Sequence, residues 1–296
     1  MTLTTLDHVG MVQDLLRGAR VRARRKTLPT LLVPITRGPI ENFYHFFMGY
    51  FVPLYWRRMQ QPNQHIAVMS VEPFNHWFDL LPGGAPKIVP QAKAMKHAFL
   101  ADSRGYAREY RVEGIMYWDK WEHFGDKPMR LIAAQIREDL APRTSDDAAA
   151  TPEIVVLGRG HTPDFYTEYS SKPYGSAKRN ISNLDHVVEA LSRDYSVELI
   201  DGAAVSPEEM LHKCSHASLI MGQHGAGLTN VFFAKPGAAM LEIVWPEFLE
   251  NAHINIYGPL CDQLGIRWSR PILQKDPHSG VSAMAVLNEV RQLIET

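Results

Sequence analysis

Cysteine is nearly missing from this chain: Cys214 and Cys261 are the only two in 296 residues. Neither sits in a metal-ligand spacing or a disulfide framework, which excludes a stapled scaffold and leans towards a reducing compartment. Neither sign of charge is in excess. The formal net charge of −1 argues against a dedicated nucleic-acid binder, so no nucleic-acid partner is expected. No apolar run is long enough to span a bilayer. The most apolar, Phe43–Trp56 (FYHFFMGYFVPLYW), is broken by His45, Gly49 and Pro53 and reads as a buried helix. Met1–Asp7 lacks the charged-then-apolar pattern of a signal peptide, so the expected location is cytoplasmic. A peripheral membrane contact stays open, because Arg17–Lys26 (RGARVRARRK) holds six basic residues; such runs are more often solvated faces. Asp-x-Asp is absent, so there is no obvious carboxylate pair for Mg²⁺ or Mn²⁺, and no metal ligands are assigned.

What is present is the composition of an ordinary globular protein, 45% hydrophobic and 21% charged. At roughly 100–200 residues per domain the length allows two compact domains. Ala141–Pro152 (APRTSDDAAATP) is small, polar and Pro-flanked, and is the best linker, giving domains 1–145 and 146–296. Beyond it the pattern becomes regular. Glu153–Leu157, Val197–Ile200, Ala217–Met221 and Ala239–Val244 read as buried strands. Helical spacing runs from Leu184 to Tyr195, and Ser206-Pro207-Glu208-Glu209 is a helix start. A short helix is expected over Leu228–Phe233. This alternation predicts a doubly wound α/β domain. In the first half Leu31–Ile35 and Ile66–Val71 look like strands, while Ala92–Leu100 and Leu131–Leu140 look helical. Tyr106–Phe124 resists assignment.

Met221–Phe233 (MGQHGAGLTNVFF) falls where a strand ends and a helix begins, the place where open α/β sheets bind ligands. Gly222, Gly225 and Gly227 permit close approach, and helix-start amides favour an anion, most often phosphate. His224 can donate to a phosphate oxygen, and Thr229 or Asn230 can add a second bond. A tight strand–helix turn explains the glycines equally well. The loop is neither a Walker motif nor G-x-G-x-x-G. Arg159, Lys172, Lys178 and Arg179 precede the first helix of this half and can supply charge at the same rim, though each is as readily a solvated residue.

His224–Asn230 (HGAGLTN), with Phe232 or Phe233, Pro236-Gly237 and Leu241-Glu242-Ile243, resembles the C-terminal signature of glycosyltransferase family 61. Arg159 with Lys178-Arg179-Asn180-Ile181-Ser182-Asn183 is similar to that family's R…R-x-I-x-N block. Glu41–Phe46 (ENFYHF) is similar to its N-[FY]-[FY]-H block. Seven positions beyond Asn42, where the family often carries an acidic residue, this chain has Gly49, so no role carries over for that carboxylate.

The resemblance implies a GT-B-like architecture: two Rossmann-like doubly wound domains facing a cleft, acceptor in the first and donor in the second. The last helix is a candidate to pack back on the first domain. It further implies sugar transfer with inversion from a nucleotide-sugar, a UDP-sugar by preference, to a glycan or polysaccharide acceptor, without a cofactor. Donor contacts then fall to Arg159, Lys178, Arg179, Asn183, Gly222, His224, Gly225, Ala226, Gly227, Leu228, Thr229, Asn230 and Glu242. Glu242 can accept from ribose hydroxyls or simply cap a turn. A metal-free enzyme must hold the leaving diphosphate with amides and cations. Inversion also needs a base. His45 is the first candidate, although a buried histidine bonded to a backbone carbonyl fits as well. Asp79 and Asp119 follow, with Trp77, Trp118 and Trp121 as a stacking platform or as core. Alternatives are a non-catalytic nucleotide- or glycan-binding protein on the same fold, favoured by Gly49, and another phosphate-using α/β enzyme, which lacks its motifs.

Overall fold

The computed structural model describes residues 28–35, 40–72, 74–104, 109–115, 128–140, 152–160, 179–202, 204–249 and 255–295. The chain forms two compact units, Met1–Asp119 and Lys120–Thr296. Most of the expected linker, and the basic run Arg17–Lys26, lie outside the described residues. Helix α3 (Met129–Leu140) belongs to the second unit, which begins at Lys120 rather than at the expected residue 146. Its Arg137 donates to the Ala234 carbonyl at 2.9 Å, and Arg130 Nε to the Gln263 carbonyl at 2.9 Å. Among the described residues no helix is long and apolar enough to cross a membrane.

In the first unit four parallel strands, β1 (Thr30–Pro34), β2 (Ile66–Met69), β3 (Lys87–Val89) and β4 (Arg111–Ile115), are ordered β3-β2-β1-β4. Leu31 and Leu32 on β1 are fully buried, as parallel strands covered on both faces require. Helix α1 (43–60) follows β1. Asn42 caps it, its side-chain oxygen accepting from Tyr44 N–H at 3.0 Å. A π turn over Phe47–Phe51 interrupts it just before Pro53, which has no N–H for the α ladder. The β4 segment, RVEGI, is an edge strand whose Arg111 and Glu113 meet at 2.8 Å, with Arg57 2.7 Å from the same carboxylate. Its charged side chains hide the strand from hydrophobic patterning. Helix α2 (Gln91–Arg104) completes the unit.

The second unit has five parallel strands, β5 (Ile154–Gly158), β6 (Val197–Asp201), β7 (Leu219–Gln223), β8 (Ala239–Ile243) and β9 (Arg267–Ser269). Their order is β6-β5-β7-β8-β9. Alternate side chains separate to the two faces. Ile154, Val156, Leu219, Met221, Ala239 and Leu241 pack with α4 (Leu184–Leu191) and α8 (Ala283–Glu295). Helix α8 thus packs on the second sheet and on α4. Helix α6 (Pro246–Leu249) follows β8. The opposite face carries α5 (Pro207–His216), α7 (Tyr257–Leu264) and a 3₁₀ helix over Ala226–Phe233, against which α3 also packs. Ser206 caps α5 as expected, accepting from Glu209 N–H at 3.1 Å.

Candidate anion site at the switch point of the second sheet

Chain connection reverses between β5 and β7: β6 lies on one side of β5, while β7, β8 and β9 lie on the other. That reversal opens the sheet at the carboxyl ends of the two strands, where loops leave in opposite directions. Register then decides what gathers there. Leu157 is level with Gly222, Gly222 with Glu242, and Leu241 with Ser269. Continuing each row at a period of two brings Arg159, His224, Glu242 and Arg270 to one face of the sheet.

The contacts bear this out. Arg159 Nη2 donates to the His224 carbonyl at 2.6 Å. His224 N–H donates to the Ile243 carbonyl at 2.9 Å, and Tyr257 O–H donates to the Gly225 carbonyl at 2.7 Å. The loop backbone is therefore held from three sides. Gly225 is needed for space rather than for a left-handed conformation: a Cβ there would sit 1.6 Å from Arg159 Nη2. Gly222 is tight against the Leu157 carbonyl, 3.0 Å from an added Cβ, whereas an added Cβ on Gly227 meets nothing within 4 Å. The helix after the loop is 3₁₀ rather than α, and it starts at Ala226, two residues before the expected position. Leu228 N–H makes its first bond, to Gly225 O at 3.0 Å, so the Ala226 and Gly227 amides precede the ladder and have no intrahelical acceptor.

His224 is buried. Its Nδ1 hydrogen-bonds the Glu242 carboxylate, and its ring lies 4.1 Å from that of Phe248 and 5.7 Å from that of Tyr257. Burial pushes the imidazole down to about 4, with Arg179 and Arg159 acting in the same sense against the pull of Glu242. Glu242 is fully buried, and its second oxygen accepts from Arg270 Nε at 2.6 Å. Arg270 Nη2 reaches Asn255 Oδ1 at 2.6 Å. Each carboxylate oxygen accepts from a protein group and Glu242 has no exposed surface, so it positions His224 and Arg270.

Arg159 and Arg179 carry the charge of the site. Burial, and then the neighbouring Arg179, hold Arg159 down at about 9, and burial lowers Arg179 too. The Nε of each is closed to solvent and meets no partner among the described residues. Arg179 lies over the Trp245 ring, 5.8 Å from its centroid. Arg270 pairs with the buried Glu242 and Arg179 feels its charge, while Arg159 faces the like charge of Arg179. A charge pair at ~4 Å is worth about 4 kcal/mol at an effective dielectric near ~20, so a bound anion offsets much of the hydration these arginines have lost.

Asn183 is drawn into the structure. It bonds the Val281 backbone twice, Nδ2 to the carbonyl at 2.8 Å and Oδ1 from the N–H at 2.9 Å. With Asn180 N–H to Pro277 O at 2.8 Å this straps the Arg179 segment to the chain before α8. Thr229 is fully buried, 3.4 Å from Tyr257 O–H, and Asn230 Nδ2 bonds Gly227 O at 2.9 Å, so both brace the loop from inside. Lys178, Lys172 and Asp119, with Trp118 and Trp121, lie outside the described residues. In the first unit His45 sits on α1, its ring 5.6 Å from Tyr44, and burial lowers its pKa to about 4. Asp79 is exposed on the 3₁₀ turn Asn75–Leu80. Trp77 is core, packed on Phe43, Phe47 and Phe51 at 5.4, 5.5 and 5.4 Å, and so is not a platform. Arg270, Tyr257, Trp245 and Phe248 escaped the sequence reading. Arg270 had a signal only in register, since it follows a three-residue edge strand.

Fold and site together define an α/β protein with two half-buried arginines beside a glycine loop at the switch point of a parallel sheet. The family model for Glycosyltransferase 61 matches residues 43–241, from helix α1 to strand β8, and the chain belongs to that family. It is similar to a xylan glycosyltransferase of Arabidopsis thaliana, MUCI21, with 21% identity over 250 residues that cover 79% of this chain and 48% of the relative. The chain thus spans about half the length of that relative. Among solved structures, E. coli ADP-heptose LPS heptosyltransferase II covers 90% of this chain and 99% of its own at 11% identity, with a TM-score of 0.47.

Proposed function

We propose that the chain is an inverting, metal-independent glycosyltransferase that moves a sugar from a nucleotide-sugar donor, a UDP-sugar by preference, to a glycan acceptor. The observation that carries this reading is the pair Arg159 and Arg179, half-buried beside the Gly225 loop with Nε atoms that meet no partner among the described residues. The Ala226 and Gly227 amides add donors on the same loop, and together these groups have the sign a diphosphate requires. Family membership supplies the reaction class.

In this reading the second unit stabilises charge as it develops. The bond between the anomeric carbon and the β-phosphate oxygen breaks, and the negative charge arriving on the diphosphate meets guanidiniums already fixed in place. Arg159 cannot swing away, because its Nη2 is bonded to the His224 carbonyl. Arg179 is held by Trp245 and by the Asn183 strap. The acceptor hydroxyl gives its proton to a base of the first unit, for which His45 is proposed. Burial keeps that imidazole neutral at neutral pH, the form a base requires. The acceptor oxygen then attacks the face of the sugar opposite the leaving diphosphate, and the configuration inverts.

A thermal-shift screen with UDP, GDP and CMP, followed by hydrolysis and transfer assays with their sugars, tests the proposal. Stabilisation by one nucleotide together with turnover of its sugar is expected. A nucleotide that binds while none of its sugars is hydrolysed or transferred would leave a binding protein and remove the enzyme.

A further inference from the structure

The expected role of His224, donating a hydrogen bond to a phosphate, conflicts with where its hydrogen is. A carboxylate flanked by a guanidinium can only accept, so the contact between His224 Nδ1 and Glu242 requires the hydrogen on Nδ1. Arg270 fixes Glu242 from the other side, and Phe248 and Tyr257 hold the plane of the ring. The tautomer is set by this buried chain. Nε2 is then left with a lone pair. Among the described residues Glu242 is the ring's polar partner, and the side chain is 6% exposed. A bare lone pair repels a phosphate oxygen and attracts a donor such as a hydroxyl.

The alternative is a charged ring, with Nε2–H donating to phosphate. The groups facing the imidazole are Glu242, which favours the charged form, and Arg159 and Arg179, which oppose it, with Tyr257 alongside. Burial is the largest influence and also opposes charge. The two guanidiniums already match phosphate geometry, so the ring is not needed for that purpose.

Accepting the nucleotide-sugar reading of this site, we propose that His224 accepts, through Nε2, a hydrogen bond from a hydroxyl of the bound donor beside its diphosphate. That hydroxyl belongs either to the ribose or to the sugar being transferred. His224 thereby becomes a specificity residue rather than a phosphate ligand, with Glu242 and Arg270 as positioning residues behind it. A site built to bond a hydroxyl rejects the analogue that lacks it, because a buried polar atom is then left unpaired.

The test begins on the unmodified chain. UDP-glucose and GDP-mannose, whose diphosphate diesters do not titrate there, are bound between about pH 6 and pH 8 in two buffers of different ionisation enthalpy. Near-zero proton uptake and level affinity are expected. Uptake approaching one proton per donor, with affinity falling towards tenfold per pH unit, means an imidazolium on phosphate and overturns the inference. The second arm compares the nucleotide that binds with its 2′-deoxy and 3′-deoxy forms and with its sugar, in the unmodified chain and in His224→Phe. A loss of about tenfold or more for one deoxyribose form, absent in the variant, identifies the ribose. An advantage of the sugar over the bare nucleotide that disappears in the variant identifies the sugar instead. Equal discrimination by both proteins overturns the inference. Failure of every nucleotide and nucleotide-sugar to bind the unmodified chain is a different result: it removes the donor site itself.

Discussion

The Arg159 guanidinium occupies the space that a side chain at position 225 would need: a Cβ on Gly225 would lie 1.6 Å from Arg159 Nη2. The same nitrogen is bonded to the His224 carbonyl at 2.6 Å, so loop and arginine fix each other. Gly225→Ala is therefore expected to expel the guanidinium and weaken nucleotide binding by about tenfold or more, roughly 1.4 kcal/mol. Gly227→Ala, which meets nothing within 4 Å, should leave the melting temperature unchanged. Titration and thermal denaturation of the two variants check both statements. Full affinity in Gly225→Ala would show that the guanidinium is not where binding occurs.

Glu242 is a buried charge with two cationic or donor partners. Removing it alone strands Arg270, and Glu242→Met should cost about 3–5 kcal/mol of stability. The double replacement Glu242→Met with Arg270→Met should cost less than the single one, because it leaves no unpaired charge. Urea unfolding of the three proteins decides the order.

The pH dependence of stability has a definite sign. His45 and His224 both have folded pKa values of about 4, below the ordinary 6.5. Between those values the unfolded chain binds more protons than the folded one, so stability is complete above about 6.5 and drains away as the pH falls towards 4. The urea midpoint should drop through that window, and His45→Phe should flatten the drop. If His45 is the base, the acid limb of the rate profile should lie near pH 4 rather than near 6.5. An acid limb near 6.5 would exclude His45.

Asn183→Ala cuts both bonds to Val281 and leaves backbone groups unsatisfied, at a cost of about 1–3 kcal/mol. Because the strap holds the Arg179 segment, nucleotide affinity should fall with it. Asn183→Ala that weakens the fold but not the affinity would restrict Asn183 to structure.

Trp77→Ala should destabilise the first unit by about 3–5 kcal/mol, as expected for an aromatic side chain packed on three phenylalanines. Nucleotide binding to the folded fraction should be unchanged. Calorimetry and titration at low temperature separate the two effects.

Local chemistry dictated much of this molecule. Buried parallel strands such as IVVL and LIM must be continuously apolar, and Ser206-Pro207 must start a helix, so these elements are legible without any fold. The HGAGLTN loop was legible for the same reason: close packing of a loop against a guanidinium excludes side chains, and glycine records that exclusion in the sequence. Edge strands are different. Arg111–Ile115 and Arg267–Ser269 face solvent on one side, so their side chains are charged or mixed and carry no apolar signal. What lies behind the loop was equally hidden. His224 and Glu242 are 18 residues apart, and Arg270 is 28 beyond Glu242. Only strand order and register bring them to one face of the sheet, and only there is Glu242 seen bonded to His224 and Arg270. The sequence alone marked the loop at which an anion is proposed to bind. Tertiary structure decided which atoms are left to bind it, because a hydrogen bond made inside the protein is one no longer offered to a ligand.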